Sequence, residues 1–423
     1  MILLEINEFN PELMAKAASE LGLSNLKRLL ALKRSDTTTD DKQERFGLDP
    51  WVQWVSIHTG KTSAQHGVQH LGDVPQLADR QIWETLAQKG LTCGVWGAMN
   101  ASRGNTPGCA FFFPDPWTFS EDAYPPELNN LLAFPRYYSK NYGDLDKKKS
   151  VQTLLKLLWF CVNPRIAVQL LPLAPRLVSA AINNGLHEYL LFVLFDLVNA
   201  KLFSHYYRKT KPDFAILFMN SLAHLQHHKW TSKDRLSSEM RVAFTIFDVA
   251  IGIVFDAVPF DQGIVIANAF TQFCSYEQNE FLHRQKNPEK FLQAAGIAFL
   301  RVEQAMTNDG HVFFDSPASA GHAAALLKEA TVNGKPAFHV ESGGKTPDKI
   351  FFQVIVWEPL PPDAVLEING RHIPFFEQFE VITRRSGSHL QEGHVFSSQV
   401  NVPATLYNHQ IHDCILDHYG VTH

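Results

Sequence analysis

The chain opens with Ile2-Leu3-Leu4-Glu5-Ile6-Asn7-Glu8-Phe9-Asn10-Pro11. Residues 2–6 are a nearly unbroken apolar run, the pattern of a short strand buried on both faces. Asn7 to Pro11 reads as a turn, and a helical pattern follows from Glu12 to about Leu32. A strand that ends in polar residues before a helix is the opening unit of a parallel α/β sheet. Ligands in such sheets bind at the carboxyl ends of the strands. Asn7, Glu8 and Asn10 sit at such an end.

Working outward, the same unit recurs. Thr92–Trp96 reads as a strand after a helix over Gln81–Lys89. Asp213–Phe218 is a strand leading into Met219-Asn220-Ser221, and Gly263–Ala267 one leading into Asn268-Ala269. A long helical stretch, about Lys233–Ala257, separates the last two. These are the core strands of one doubly wound, mostly parallel sheet.

The 423 residues, 45% hydrophobic and 19% charged, suffice for a large core. A net charge of −5 argues against a nucleic-acid partner. Five scattered cysteines without a CxxC pair exclude a zinc ribbon and suit a reducing compartment. The N-terminus lacks the basic and long apolar regions of a secretory signal, so the expected location is cytoplasmic.

Two stretches read as insertions. The sequence divides into a core over 1–146, a helical cap over 147–212, core again over 213–300, a small α+β insertion over 301–380, and a core return over 381–423. The cap is strongly apolar, and Lys156, Arg165, Arg176 and Asp196 interrupt it. Burial of the cap against the core is the leading expectation. Peripheral contact of 151–207 with the inner membrane is the alternative.

Three segments could carry chemistry. Ala223-His224-Leu225-Gln226-His227-His228 follows a strand, and at helical spacing its histidines share a face that could hold a metal or act on one substrate. Pro50-Trp51-Val52-Gln53-Trp54-Val55-Ser56-Ile57-His58-Thr59-Gly60-Lys61-Thr62 ends like a phosphate loop, but Val55 stands where that loop needs glycine. Ser386-Gly387-Ser388-His389 places a histidine on a small-residue loop near the end of the chain.

In order and spacing these pieces resemble the alkaline phosphatase superfamily, in its phosphodiesterase and nucleotide pyrophosphatase branch. The counterparts are Asn7-Glu8, Thr59-Gly60 with His66-Gly67, Ala223 followed by His227, Asn268-Ala269, and His389. The chain resembles more closely a group of that superfamily associated with surface-polysaccharide genes. Glu5–Asn10, Pro50–Lys61, Ala223–His228 and Asn268–Gln272 carry that likeness. The superfamily binds two metal ions through aspartates and histidines and attacks with a Ser or Thr. Here Asn7, Ala223 and Asn268-Ala269 replace the acidic ligands, and the nucleophile's place falls near Pro50. Loss of that much negative charge should abolish a dinuclear site.

The expected site is therefore an altered one. Glu8, Thr59, His224, His227 and His228 are its candidate catalytic residues. Asn7, Asn10, Trp54, His58, Lys61, Asn268 and Gln272 are its candidate substrate contacts, all but Trp54 expected at strand ends or loops on one side of the sheet, with a core position the competing reading for Trp54. His227 and His389 could ligate one Zn, Mn or Fe ion. The resemblance implies an enzyme acting on a sugar phosphate, or on a nucleotide- or lipid-linked sugar. A non-catalytic protein that binds such a ligand or a partner enzyme is the alternative. The sequence does not fix an oligomeric state.

Overall fold

The computed structural model describes residues 1–41, 48–74, 77–141, 145–185, 187–305, 307–343 and 346–421. The opening run forms a strand over Ile2–Ile6 (β1), every residue of it buried. It belongs to an eight-stranded sheet with Lys33–Thr38 (β2), Cys93–Trp96 (β3), Cys109–Phe113 (β4), Phe214–Met219 (β5), Ile264–Ala267 (β6), Gly393–Ser398 and Thr405–Tyr407. The spatial order is Thr405–Tyr407, β2, Gly393–Ser398, β6, β1, β5, β3, β4. All pairings are parallel except those of Gly393–Ser398, which runs against both β2 and β6. The fold is thus α/β with a mostly parallel central sheet.

Side-chain alternation in β1 explains its position. Ile2, Leu4 and Ile6 enter one apolar cluster with the helices Pro11–Glu20, Glu188–Thr210 and Ser238–Ala257. Leu3 enters the other cluster, with Trp54 and Ile57 of the helix Pro50–Thr59 and Ile415 of the helix Ile411–His418. A strand covered on both faces needs apolar residues at every position, with Glu5 the one exception. The registers Ile6 to Met219 and Glu5 to Ala267 set the ends of β1, β5 and β6 side by side. Asn7-Glu8, Asn220-Ser221 and Asn268-Ala269 therefore leave the sheet together.

Several expectations change. The helix anticipated over 12–32 is two, Pro11–Glu20 and Ser24–Leu30, because Gly22 turns left-handed between them at φ +69°. Trp54, His58 and Thr59 lie within the helix Pro50–Thr59, not on a loop or strand end, and Lys61 follows its C-terminal Gly60. The apolar cap is buried only on its inner side. Phe160, Ile166 and Leu173 pack on the core, whereas Leu155, Trp159, Leu171 and Ile182 face outward. One helical run, Pro164–Asn184, is long and apolar enough to cross a membrane.

The chain forms two compact units. The first comprises Met1–Arg136, Val151–Cys274 and Ser386–His423, and the second Tyr137–Ser150 with Ser275–Arg385. The second begins well before residue 301. Its core joins the helix Pro317–Glu329 to antiparallel strands that include Phe338–Ser342 and Lys349–Val354. Asn369-Gly370, both at positive φ, turns the hairpin between Val365–Ile368 and Arg371–Pro374.

Candidate metal centre

Three side chains converge where β1 ends. Glu8 is the second residue after the strand and is 2% exposed. Its φ of +53° is unusual for a side chain of this size. That backbone is held from both directions: the Glu8 N–H donates to the Asn268 carbonyl at 3.1 Å, and the Gln226 side chain donates to the Glu8 carbonyl at 2.9 Å. His227 comes from the helix Ser221–Lys229 after β5, and His389 from the strand Gly387–Leu390. The Nε2 atoms of His227 and His389 lie 2.9 and 3.1 Å from Glu8 Oε2 and 3.3 Å from each other.

The other ring nitrogens decide what these distances mean. His227 Nδ1 lies 3.0 Å from the Gly387 carbonyl, and His389 Nδ1 2.7 Å from the Leu48 carbonyl. A carbonyl only accepts, so each Nδ1 carries the hydrogen. In a neutral imidazole the lone pair is then on Nε2. Two lone pairs and a carboxylate oxygen meet within about 3 Å, which repels unless a positive charge sits among them. Backbone carbonyls that fix the far nitrogen of a histidine are the usual outer shell of a metal ligand. Two histidines and one glutamate are a donor set for Zn, Mn or Fe. Among the described residues this is the one group of three His, Cys, Asp or Glu side chains able to share an ion. The residues present therefore fit a single divalent cation.

Electrostatics likewise call for positive charge at this spot. Burial pushes the Glu8 carboxyl up, but positive charge on His389 and then on His227 outweighs it and holds the group well below the usual carboxylate range, so a proton on Nε2 and a bound cation would compete for the same place. Gln272 adds an N–H to Oε2 at 2.5 Å. Its own Oε1 is buried without a hydrogen-bond partner.

The remaining candidates fall into three places. Asn7, Asn10 and Asn268 brace the centre. The Asn7 amide donates to Glu8 Oε1 at 2.9 Å and to Asn220 Oδ1 at 2.8 Å, while its oxygen accepts from Trp54 Nε1 at 2.8 Å. Asn10 donates to the Gln272 carbonyl, and Asn268 bridges the Phe9 carbonyl, Thr271 and the His394 N–H. Gln226, which sequence reasoning did not select, ties the Glu8 carbonyl to the Asn10 N–H.

His224 and His228 form a second place. Their rings lie 4.2 Å apart at a 40° tilt, and the Phe192 ring lies 4.0 Å from His224. Burial, then the charges of His227 and Lys229, pushes His228 down to about 3, and burial with His228 holds His224 well below the histidine range. Both are neutral at pH 7.

His58, Thr59 and Lys61 are the third. All three lie at the C-terminal end of the helix Pro50–Thr59 or just past it, the end opposite Leu48. His58 pairs with Glu5 at 2.7 Å, both fully buried. The Thr59 hydroxyl donates to the Val55 carbonyl within its own helix. The Pro50 position has no hydroxyl to serve as a nucleophile.

No family model and no curated protein sequence matches the chain. Solved structures similar to it include phosphonoacetate hydrolase from Sinorhizobium meliloti in complex with phosphonoformate, at 12% identity and a TM-score of 0.46, covering 99% of this chain and 95% of that one. Human ectonucleotide pyrophosphatase/phosphodiesterase 5 is similar at 10% identity and a TM-score of 0.47, covering 100% and 95%. Its murine counterpart in complex with AMP gives 8% identity, a TM-score of 0.47 and the same coverage.

Proposed function

We propose that the chain is a single-metal enzyme of the alkaline phosphatase superfamily that acts on a phosphorylated sugar or on a nucleotide- or lipid-linked sugar. The observation that carries the metal reading is the tautomer lock. With both Nδ1 atoms donating to carbonyls, two Nε2 lone pairs and the Glu8 carboxylate point at one spot. The order of motifs along the chain supports the superfamily, and the substrate class rests on the resemblance to the group associated with surface-polysaccharide genes alone.

Glu8, His227 and His389 would hold the ion, which when bound supplies a Lewis acid that polarises a phosphoryl oxygen. Asn7 and Gln272 keep the carboxylate oriented. Gly387 and Leu48 keep the imidazole lone pairs inward. His224 and His228, on the same helix, pack on each other and His224 on Phe192, and both are pushed too far down to take up a proton near pH 7, so they stand outside the proton-transfer step.

The test is metal content of the purified protein by mass spectrometry, for wild type and for His227→Ala with His389→Ala. About one divalent ion per chain, lost in the double variant, is the expected result, followed by a screen of phosphodiesters and sugar phosphates with that ion. Failure to take up any ion on titration would overturn the metal reading. If a substrate is turned over, His224→Ala should cost less than about threefold in kcat; a loss of about 100-fold would give that histidine a proton-transfer role. The non-catalytic reading draws on one observation, proline in place of a hydroxyl nucleophile at position 50. A bound ion and a bound sugar phosphate without turnover would favour it.

A further inference from the structure

We propose that the outer face of the helices between Val151 and Ile182 docks on an anionic lipid bilayer. A surface helix normally hides one apolar stripe and shows a polar one. These helices are apolar on both sides. Their inner side meets the core through Phe160, Ile166 and Leu173. Their outer side presents Leu155, Trp159 at 73% exposure, Val162, Leu171 and Ile182 at 76%. Scattered exposed leucines need no explanation, but a run of large side chains over some thirty residues of chain does.

Charge selects the occupant. Between Val151 and His187 the sequence holds Lys156, Arg165 and Arg176, and no Asp or Glu. That is +3 in a chain of net −5, so the other residues together carry −8. A cation-rich, acid-free apolar face matches the composition of helices that lie in the headgroup region of anionic membranes. The Trp at its middle also suits the headgroup boundary. Arg165 and Arg176, with Pro172 and Pro175 between the helical turns, favour lying on the bilayer over spanning it.

The docking proposal stands on the exposed face and its charge, so it survives failure of the metal reading.

The test is flotation of the full chain with vesicles of phosphatidylcholine alone or mixed with phosphatidylglycerol, at low and high salt. Expected is binding to the mixed vesicles that weakens with salt. Lys156→Gln, Arg165→Gln and Arg176→Gln together should weaken it about 100-fold, at about tenfold or somewhat less per charge. Leu155→Ser with Ile182→Ser should weaken it independently. Brominated lipid should quench fluorescence in wild type and much less in Trp159→Phe. All these positions are exposed, and circular dichroism checks that each variant folds. Absence of binding to mixed vesicles, or binding that neither variant set reduces, overturns the proposal. So does an apolar variant that turns a dimer into a monomer while wild type ignores vesicles, since the face would then join two protein copies.

Discussion

Glu8 stands at the junction of strain, burial and charge. Its left-handed backbone is the kind of local cost that persists only where the surroundings enforce it. The enforcement comes from Asn268 and Gln226 on its backbone and from Asn7 and Gln272 on its carboxylate. Glu8→Gln keeps the shape, removes the charge and supplies an N–H that one imidazole lone pair can accept. Metal affinity should therefore fall by about 100-fold or more, while the chelated protein melts no lower than chelated wild type. Isothermal titration and a thermal melt with chelator check both halves; a variant that still binds metal at wild-type strength removes Glu8 from the ligand set. Gly387 gives a second residue-scale prediction. A Cβ there would stand 2.2 Å from Gln272 Oε1 and 2.8 Å from the Gln226 carbonyl. Gly387→Ala must move the carbonyl that orients His227, so about 1–3 kcal/mol of stability and about 10–100-fold in metal affinity should be lost together. Urea unfolding and metal titration read the two effects; loss of stability with unchanged affinity would show that the carbonyl does not set the ring. Glu8 was legible in the sequence as a polar residue at a strand end, and His227 and His389 through the superfamily resemblance. The groups that fix the two imidazoles were not. The Leu48 and Gly387 carbonyls are backbone atoms, which no residue type advertises.

The helix Ser221–Lys229 shows how an element is aimed. It starts directly at the end of β5, and the buried Asp196 carboxylate caps that start, accepting from the Ser221 N–H at 2.8 Å and the Asn220 N–H at 3.4 Å. Burial pushes the Asp196 carboxyl up to about 6 even so, against an ordinary value near 3.8. The sign follows from proton binding. Between about pH 4 and pH 6 the folded chain holds this proton and the unfolded chain does not, so stability from this group falls as pH rises through that window. The full span is worth roughly 3 kcal/mol, from 1.36 kcal/mol per pKa unit. Asp196→Asn should flatten that part of the profile, and its stability relative to wild type should be better at pH 7 than at pH 4. Urea midpoints at the two values check it; parallel profiles would show that Asp196 does not titrate there. Among elements, the apolar strands β1, β5 and β6 were readable because burial on both faces demands continuous hydrophobicity. The strand β2 was not, since only Ser35 and Thr37 of its six residues are buried. Helical spacing led to the expectation that His224, His227 and His228 share one face, but His227 meets Glu8 while His224 and His228 pack on each other and His224 on Phe192.

At the scale of the molecule, the division into two compact units predicts where metal binding is felt. Glu8, His227 and His389 all belong to the first unit. The two apolar clusters of that unit share no residue with the cluster of the second, which runs from Phe291 to Phe379. Separate cores allow separate unfolding, so stabilisation of one unit need not spread to the other. A ligand that binds only the folded state adds RT ln(1 + [L]/Kd), about 2.7 kcal/mol at a hundredfold excess over Kd. Amides of β1, β5 and β6 that exchange through unfolding of the first unit should then slow by about 100-fold when the ion is added. Amides of Phe338–Ser342 and Lys349–Val354 should keep their rates. Hydrogen exchange with mass spectrometry, run on wild type and on Glu8→Gln with and without the ion, reads this segment by segment. Equal slowing in both units would mean that the chain unfolds as one cooperative body despite its separate cores. Slowing in neither, with an ion demonstrably bound, would mean that the centre binds through local ordering around β1 and not through the stability of its unit.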